Sequence, residues 1–138
     1  MRLVDLEPEW LRHEVRVEPG TFLKPGIDPM RGNWTDDDIE TRSEPTEYLI
    51  RVDSLDLAHG IRFLCPLCVS NGGHGVVCWF EGRVADDVKP GPGRWTPHGT
   101  GFDDLTFVPG QRVQAVSVAL LSGCNWHGFI RNGEVTLS

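Results

Sequence analysis

The sequence predicts a mainly β fold, a small antiparallel sheet or sandwich with at most a few short helices. Three observations lead there. The apolar residues fall in short alternating segments rather than at helical spacing. Gly and Pro together supply 26 of 138 residues, a density that interrupts long helices. The chain closes on two β-like runs separated by Asn132-Gly133, the favoured pair for a type I′ hairpin, because both turn positions need positive φ.

The elements follow in order. Residues 3–14 fit either a short helical turn or a strand over Leu3–Leu6. In the helical reading Pro8 is the first helical residue, with Leu3, Leu6, Trp10 and Leu11 near one face. Residues 18–46 read as irregular, because Pro19-Gly20, Pro25-Gly26, Pro29, Gly32 and Pro45 break helix and strand alike. Within them Thr35 suits an N-cap and Asp38 its N3 position. Asp36, Asp37 and Asp38 lack the spaced ligands and the glycine of a calcium loop. Residues 47–54 alternate, with Tyr48, Ile50 and Val52 on one face, as in a half-buried strand. Residues 60–64 make a second strand that runs into Cys65, and residues 75–80 a third. After an irregular stretch over 86–103, residues 104–108 and 113–120 are β-like, and 126–137 form the closing hairpin. The length fits one domain over residues 1–138, with an irregular insertion at about 15–46.

The formal net charge is −7, and no block of Lys and Arg occurs. Nucleic-acid binders ordinarily carry a basic stripe that displaces counterions, so this balance speaks against nonspecific DNA or RNA binding. An acidic surface instead suits a basic protein partner. No apolar run reaches membrane-spanning length, and Met1–Glu7 lacks the apolar core of a signal peptide, so a cytoplasmic location is expected. In a reducing compartment four cysteines read as metal ligands or core residues before disulfides.

Cys65-Pro66-Leu67-Cys68 is a C-x2-C pair, and Cys124-Asn125-Trp126-His127 a C-x2-H pair of the same spacing. Two intervening residues let one tight turn aim both side chains at a single ion. Together Cys65, Cys68, Cys124 and His127 supply the four ligands of a tetrahedral Zn2+ site, which adds a zinc knuckle to the fold. The long gap between Cys68 and Cys124 means that the ion would join distant parts of the chain. His74, on the glycine loop after the first pair, stands as an alternative ligand in place of Cys124 or His127, or as a solvent-facing residue. Cys78, inside an apolar strand, reads as a small buried hydrophobe.

Other chemistries fit less well. A thioredoxin-type C-x2-C pair precedes a helix, whereas Ser70-Asn71-Gly72-Gly73-His74-Gly75 follows here. Zinc deaminases need H-x-E followed by P-C-x-x-C, which is absent. A catalytic zinc keeps one position open for water, and two ligand pairs leave none. The sequence contains no G-x-S-x-G, phosphate loop or H-E-x-x-H. A zinc-dependent hydrolase or nuclease therefore ranks below a non-enzymatic binding protein. Trp79 and Trp126 are expected in the core. Trp34 and Trp95, in Pro/Gly-rich loops beside Arg31 and Arg94, either fill the core or anchor a partner.

Asp104-Leu105-Thr106-Phe107-Val108-Pro109, Gly123-Cys124-Asn125-Trp126-His127-Gly128-Phe129-Ile130-Arg131-Asn132-Gly133-Glu134-Val135 and the opening Met1-Arg2-Leu3-Val4-Asp5-Leu6 with Trp10 resemble a family of small phage and prophage proteins of unknown function. The resemblance implies a metal-binding β domain with Cys65, Cys68, Cys124 and His127 at its Cys/His positions. It brings no established activity; the closed zinc site, the acidic charge, the loop tryptophans and the lack of catalytic signatures lead to the expectation of a host or phage protein as partner. Where that family has Pro-Ser-Ile after the Thr strand, this chain has Pro109-Gly110-Gln111.

Overall fold

The computed structural model describes residues 1–109, 117–120 and 124–136, and within them the protein is mainly β. It divides into two compact units. One comprises Met1–Arg12 with residues 50–138, the other His13–Leu49. Strands β1 (Glu9–Leu23) and β2 (Ile39–Val52) run through both, and join β3 (Gly60–Leu64) and β4 (Gly75–Trp79) in a four-stranded sheet of order β2-β1-β3-β4. Among the described residues only short 3-10 turns accompany the strands, at Leu3–Leu6, Asp36–Asp38, Leu55–Leu57 and Val69–Asn71. Among the described residues no helix is long and apolar enough to cross a membrane.

In the larger unit the core follows from strand alternation. β3 and β4 pair antiparallel with Ile61 opposite Cys78 and Phe63 opposite Val76, and all four side chains point inward and are buried. Leu3 and Leu6, Trp10 on β1, and Leu105, Ile130 and Val135 complete the same cluster. Trp10 stacks on Phe102 with ring centroids 4.3 Å apart. Burying each large apolar side chain contributes roughly 1.5–3 kcal/mol. Cys78 is fully buried and its thiol is pushed up by desolvation, the behaviour of a small core residue rather than of a nucleophile.

The closing segment forms β8 (His127–Gly128), β9 (Ile130–Arg131) and β10 (Glu134–Val135). Asn132 and Gly133 turn the last two strands with φ of 49° and 75°, as the Asn-Gly pair requires. A β-carbon on Gly133 would run into the backbone of Asp103, so both conformation and space demand glycine there. The chain start pairs with this hairpin, since the Leu3 N–H donates to the Gly133 carbonyl (2.8 Å) and the Val135 N–H to that of Met1 (2.7 Å). Strands β5 (Thr96–His98) and β6 (Thr106–Val108) pair with each other, and β7 (Val118–Ala119) pairs with β8.

Two sequence expectations change. Residues 18–46, expected to be irregular, are strand at both ends and turn only between Leu23 and Ile39. Pro19 and Pro45 are tolerated because proline needs only a place where its missing N–H is not called on, as at a ribbon edge. Pro8 does not start a helix. The turn before it ends at Leu6, Glu7 adopts φ 50°, and Glu9 already begins β1. The Thr35–Asp38 cap forms as expected, the Asp38 carboxylate accepting the Thr35 N–H at 3.0 Å. Of the β-like stretch 113–120, residues 113–116 lie outside the described residues.

Candidate metal centre

Strand β3 delivers the chain into a ten-residue loop, 65–74, whose ends are tied by the Cys65 N–H donating to the His74 carbonyl at 2.8 Å. Because Leu64 pairs with Gly75 on β4, Cys65 and His74 stand opposite each other at the mouth of this hairpin. Inside the loop the Cys68 N–H donates to the Cys65 carbonyl (3.2 Å), and the N–H groups of Asn71 and Gly73 converge on the Cys68 carbonyl (2.9 and 3.0 Å). This winding brings the two cysteines of the C-x2-C pair to one side. Gly72 and Gly73, with φ of 89° and 69°, reverse the chain toward His74 in conformations that side-chain-bearing residues rarely adopt.

Cys124 comes from a distant turn that leads into β8. Its Sγ lies 3.4 Å from the Sγ of Cys65 and 3.3 Å from Nε2 of His74. Cys65, Cys68, His74 and Cys124 together offer four ligand atoms that all lie within 4.8 Å of one another, and so form a candidate metal site. Cys65 is buried, Cys68 and Cys124 are half-buried, and His74 is exposed.

The thiols already differ in acidity. The His74 ring, followed by the Trp126 backbone N–H, holds Cys124 down to about 7. Hydrogen bonding to Cys124 and then burial push Cys68 up to about 11. Near neutrality Cys124 therefore gives up its proton far more readily than Cys68, which keeps its own. A cation entering the group would displace those protons, as thiolate ligation requires.

Of the four ligands expected from the paired motifs, Cys65, Cys68 and Cys124 are brought together, and His127 is not in this group. Neighbouring residues on a strand point to opposite faces. On β8 Gly128 is buried and its neighbour His127 faces outward, its ring 5.9 Å from that of Phe129, while Trp126, just before the strand, is buried and meets Phe63 edge-on at 6.0 Å. His74 was readable only as an alternative. The signal that favours it is the β3–β4 register, which sets the last residue of the loop across from Cys65.

Beside the group lies a cavity of about 810 Å³, lined by Cys68, His74 and Cys124 and by apolar residues that include Val76, Trp95, Val118 and Leu120. No Asp or Glu belongs to its described lining. Trp95 turns inward, stacking on Phe107 at 5.7 Å and donating Nε1–H to the Ser117 carbonyl at 3.1 Å. Arg94 is no surface anchor. It is 5% exposed and donates to the carbonyls of Ala85, Val88 and Pro90, at 2.8, 2.9 and 3.1 Å. Sequence reading missed this role, because nothing local distinguishes an arginine that ties its own loop from an exposed one. Comparison with protein-family models, curated proteins and solved structures finds no match.

Proposed function

We propose that this chain is a non-enzymatic, zinc-stabilised β protein that binds a protein partner. The observation that carries this reading is the group of three thiols and one imidazole gathered from two distant segments. Three sulfurs and one nitrogen are the donor set of a closed structural zinc site. A tetrahedral ion with metal–sulfur bonds of about 2.3 Å has sulfur–sulfur edges of about 3.8 Å. The 3.4 Å between Cys65 and Cys124 needs only a slight opening to match. The resemblance of residues 104–109 and 123–135 to phage and prophage proteins favours a partner of host or phage origin in the host cytoplasm. The acidic balance and the lack of a basic stripe favour a protein over a nucleic acid.

A zinc-dependent hydrolase or nuclease is the competing reading, favoured by the cavity that reaches three of the four donors. It needs a metal-bound water and a base. Four protein donors fill the coordination shell, and the described cavity lining offers no carboxylate.

Metal analysis of the purified protein tests the zinc centre, and about one zinc per chain is expected from the ligand count. Cys65→Ser and Cys124→Ser should lose both metal and solubility. The cobalt-substituted protein should give the spectrum of a four-coordinate site with three thiolates. For the partner, the tagged zinc-loaded chain is passed through bacterial lysate, with the same resin carrying the tag alone as reference. Recovery of nothing above that reference, together with zinc-dependent hydrolysis of a phosphodiester or peptide, would reverse the order of the two readings.

A further inference from the structure

The unit His13–Leu49 carries five of the seven net negative charges of the chain, nine acidic side chains against four basic ones. It is built on the β1–β2 ribbon, and the two faces of that ribbon differ. On one face the side chains satisfy each other. Arg16 lies over the Tyr48 ring at 4.8 Å, the Tyr48 hydroxyl donates to Glu18 at 2.6 Å, Arg42 lies over Phe22 at 4.3 Å, and Arg42 also bonds Glu40 and Glu44. Strand alternation puts Val15, Val17 and Leu49 on the other face. The contact of His13 with Glu47 at 3.4 Å on that side agrees with the same phase. These three apolar residues are 55%, 70% and 57% exposed.

An isolated two-stranded ribbon is marginally stable in water, and large apolar side chains on it gain from being covered. Charge restricts what covers them. A second copy would bring another net −5 against this unit, a repulsion between like-charged surfaces. Width restricts it further. Two strands about 4.8 Å apart present a strip about as broad as one α-helix, whose diameter is about 10 Å. Lys and Arg flanking an apolar helical stripe can lay their stems along such a strip and carry their charges past its edges to the acidic groups.

We infer that the Val15–Val17–Leu49 face of the ribbon is the docking surface for a basic amphipathic α-helix of the partner protein. This rests on the partner-binding reading above and adds to it the surface and the chemistry of what docks. Binding draws on burial of the three apolar side chains and on attraction between opposite charges, so it weakens as salt is raised.

Titration calorimetry of the full zinc-loaded chain tests the assignment, with a synthetic peptide of about 18 residues that places Leu and Lys at helical spacing. The comparators are a peptide of the same composition in scrambled order and one with Glu in place of Lys. Val15→Thr, Val17→Thr and Leu49→Thr are combined in one variant, which keeps strand-favouring residues and adds no charge. Metal content and thermal unfolding matching the wild type establish that this variant is folded. The expected result is that the wild type binds the helical Leu–Lys peptide about tenfold more tightly than either comparator, and the triple variant about tenfold less tightly than the wild type. Equal binding of the scrambled peptide, unchanged binding by the folded triple variant, or a wild-type dimer that the variant dissolves would each overturn the assignment. The two readings fail separately. A lysate partner captured equally by wild type and triple variant leaves partner binding standing and removes the ribbon as its site. The expected peptide results without any lysate partner keep the ribbon as a helix-binding surface and remove the broader reading.

Discussion

His74 and His127 differ by what the backbone does around each. His74 ends a hairpin loop whose other end is Cys65, and its Nε2 lies 3.3 Å from the Cys124 sulfur. His127 opens β8 beside the buried Gly128 and so faces the other way. The consequence for metal binding is direct. His74→Ala should lower zinc affinity by at least about a hundredfold, the upper range for removing even a supporting partner of a ligand. His127→Ala should leave affinity within about twofold on the same scale. Competition with a chromogenic chelator measures both, and the opposite ranking would return His127 to the coordination shell. The sequence offered both histidines as candidates, each near one cysteine pair. Motif spacing favours His127 because it counts residues along the chain. Distance in the fold follows strand phase and register, which spacing does not encode.

At the scale of elements, β3, β4 and the closing Asn-Gly hairpin were legible because local signals agree. Alternation sets the strands, and a positive-φ pair sets the turn. Of the ribbon only the end of β2, within residues 47–54, was legible as strand; the start of β1 read as a helical turn and residues 18–46 as irregular, since their prolines and glycines carry the same signals as a loop. What makes 13–49 a ribbon is pairing between β1 and β2, a property of neither segment alone. The 85–94 loop is a similar case. Its order comes from one guanidinium that binds carbonyls of Ala85, Val88 and Pro90 from within the protein. Lysine at that position keeps the charge but has a compact head that cannot span those acceptors. Arg94→Lys should therefore lower stability by about 2–4 kcal/mol, since hydrogen bonds to charged groups contribute more than neutral ones and unfilled buried carbonyls add a penalty. Urea unfolding reads the loss. A change under about 0.5 kcal/mol would mean that the loop holds its shape without the guanidinium.

For the whole molecule, the proposed zinc centre predicts that metal as well as core keeps the larger unit folded. A structural zinc contributes on the order of 10 kcal/mol to folding, comparable with the entire stability of a small domain. Adding a strong chelator should abolish the cooperative thermal transition. Amide hydrogen exchange should lose protection in β3, β4 and the residues after Cys124, and excess zinc should restore it. An unchanged transition after verified metal removal would show that the core led by Ile61, Phe63, Trp79 and Leu105 suffices by itself.

By itself the sequence determined the thiols of the candidate site, the short strands β3 and β4 and the closing turn. Thiols spaced for one turn, strands that alternate, and an Asn-Gly reversal act over a few residues, where covalent geometry dominates. Only the tertiary structure decided which imidazole joins the thiols, which arginine is buried, and which face of the ribbon stays uncovered. Each of these depends on chain segments far apart in order, and their meeting is set by strand pairing and burial of the whole core rather than by any local preference.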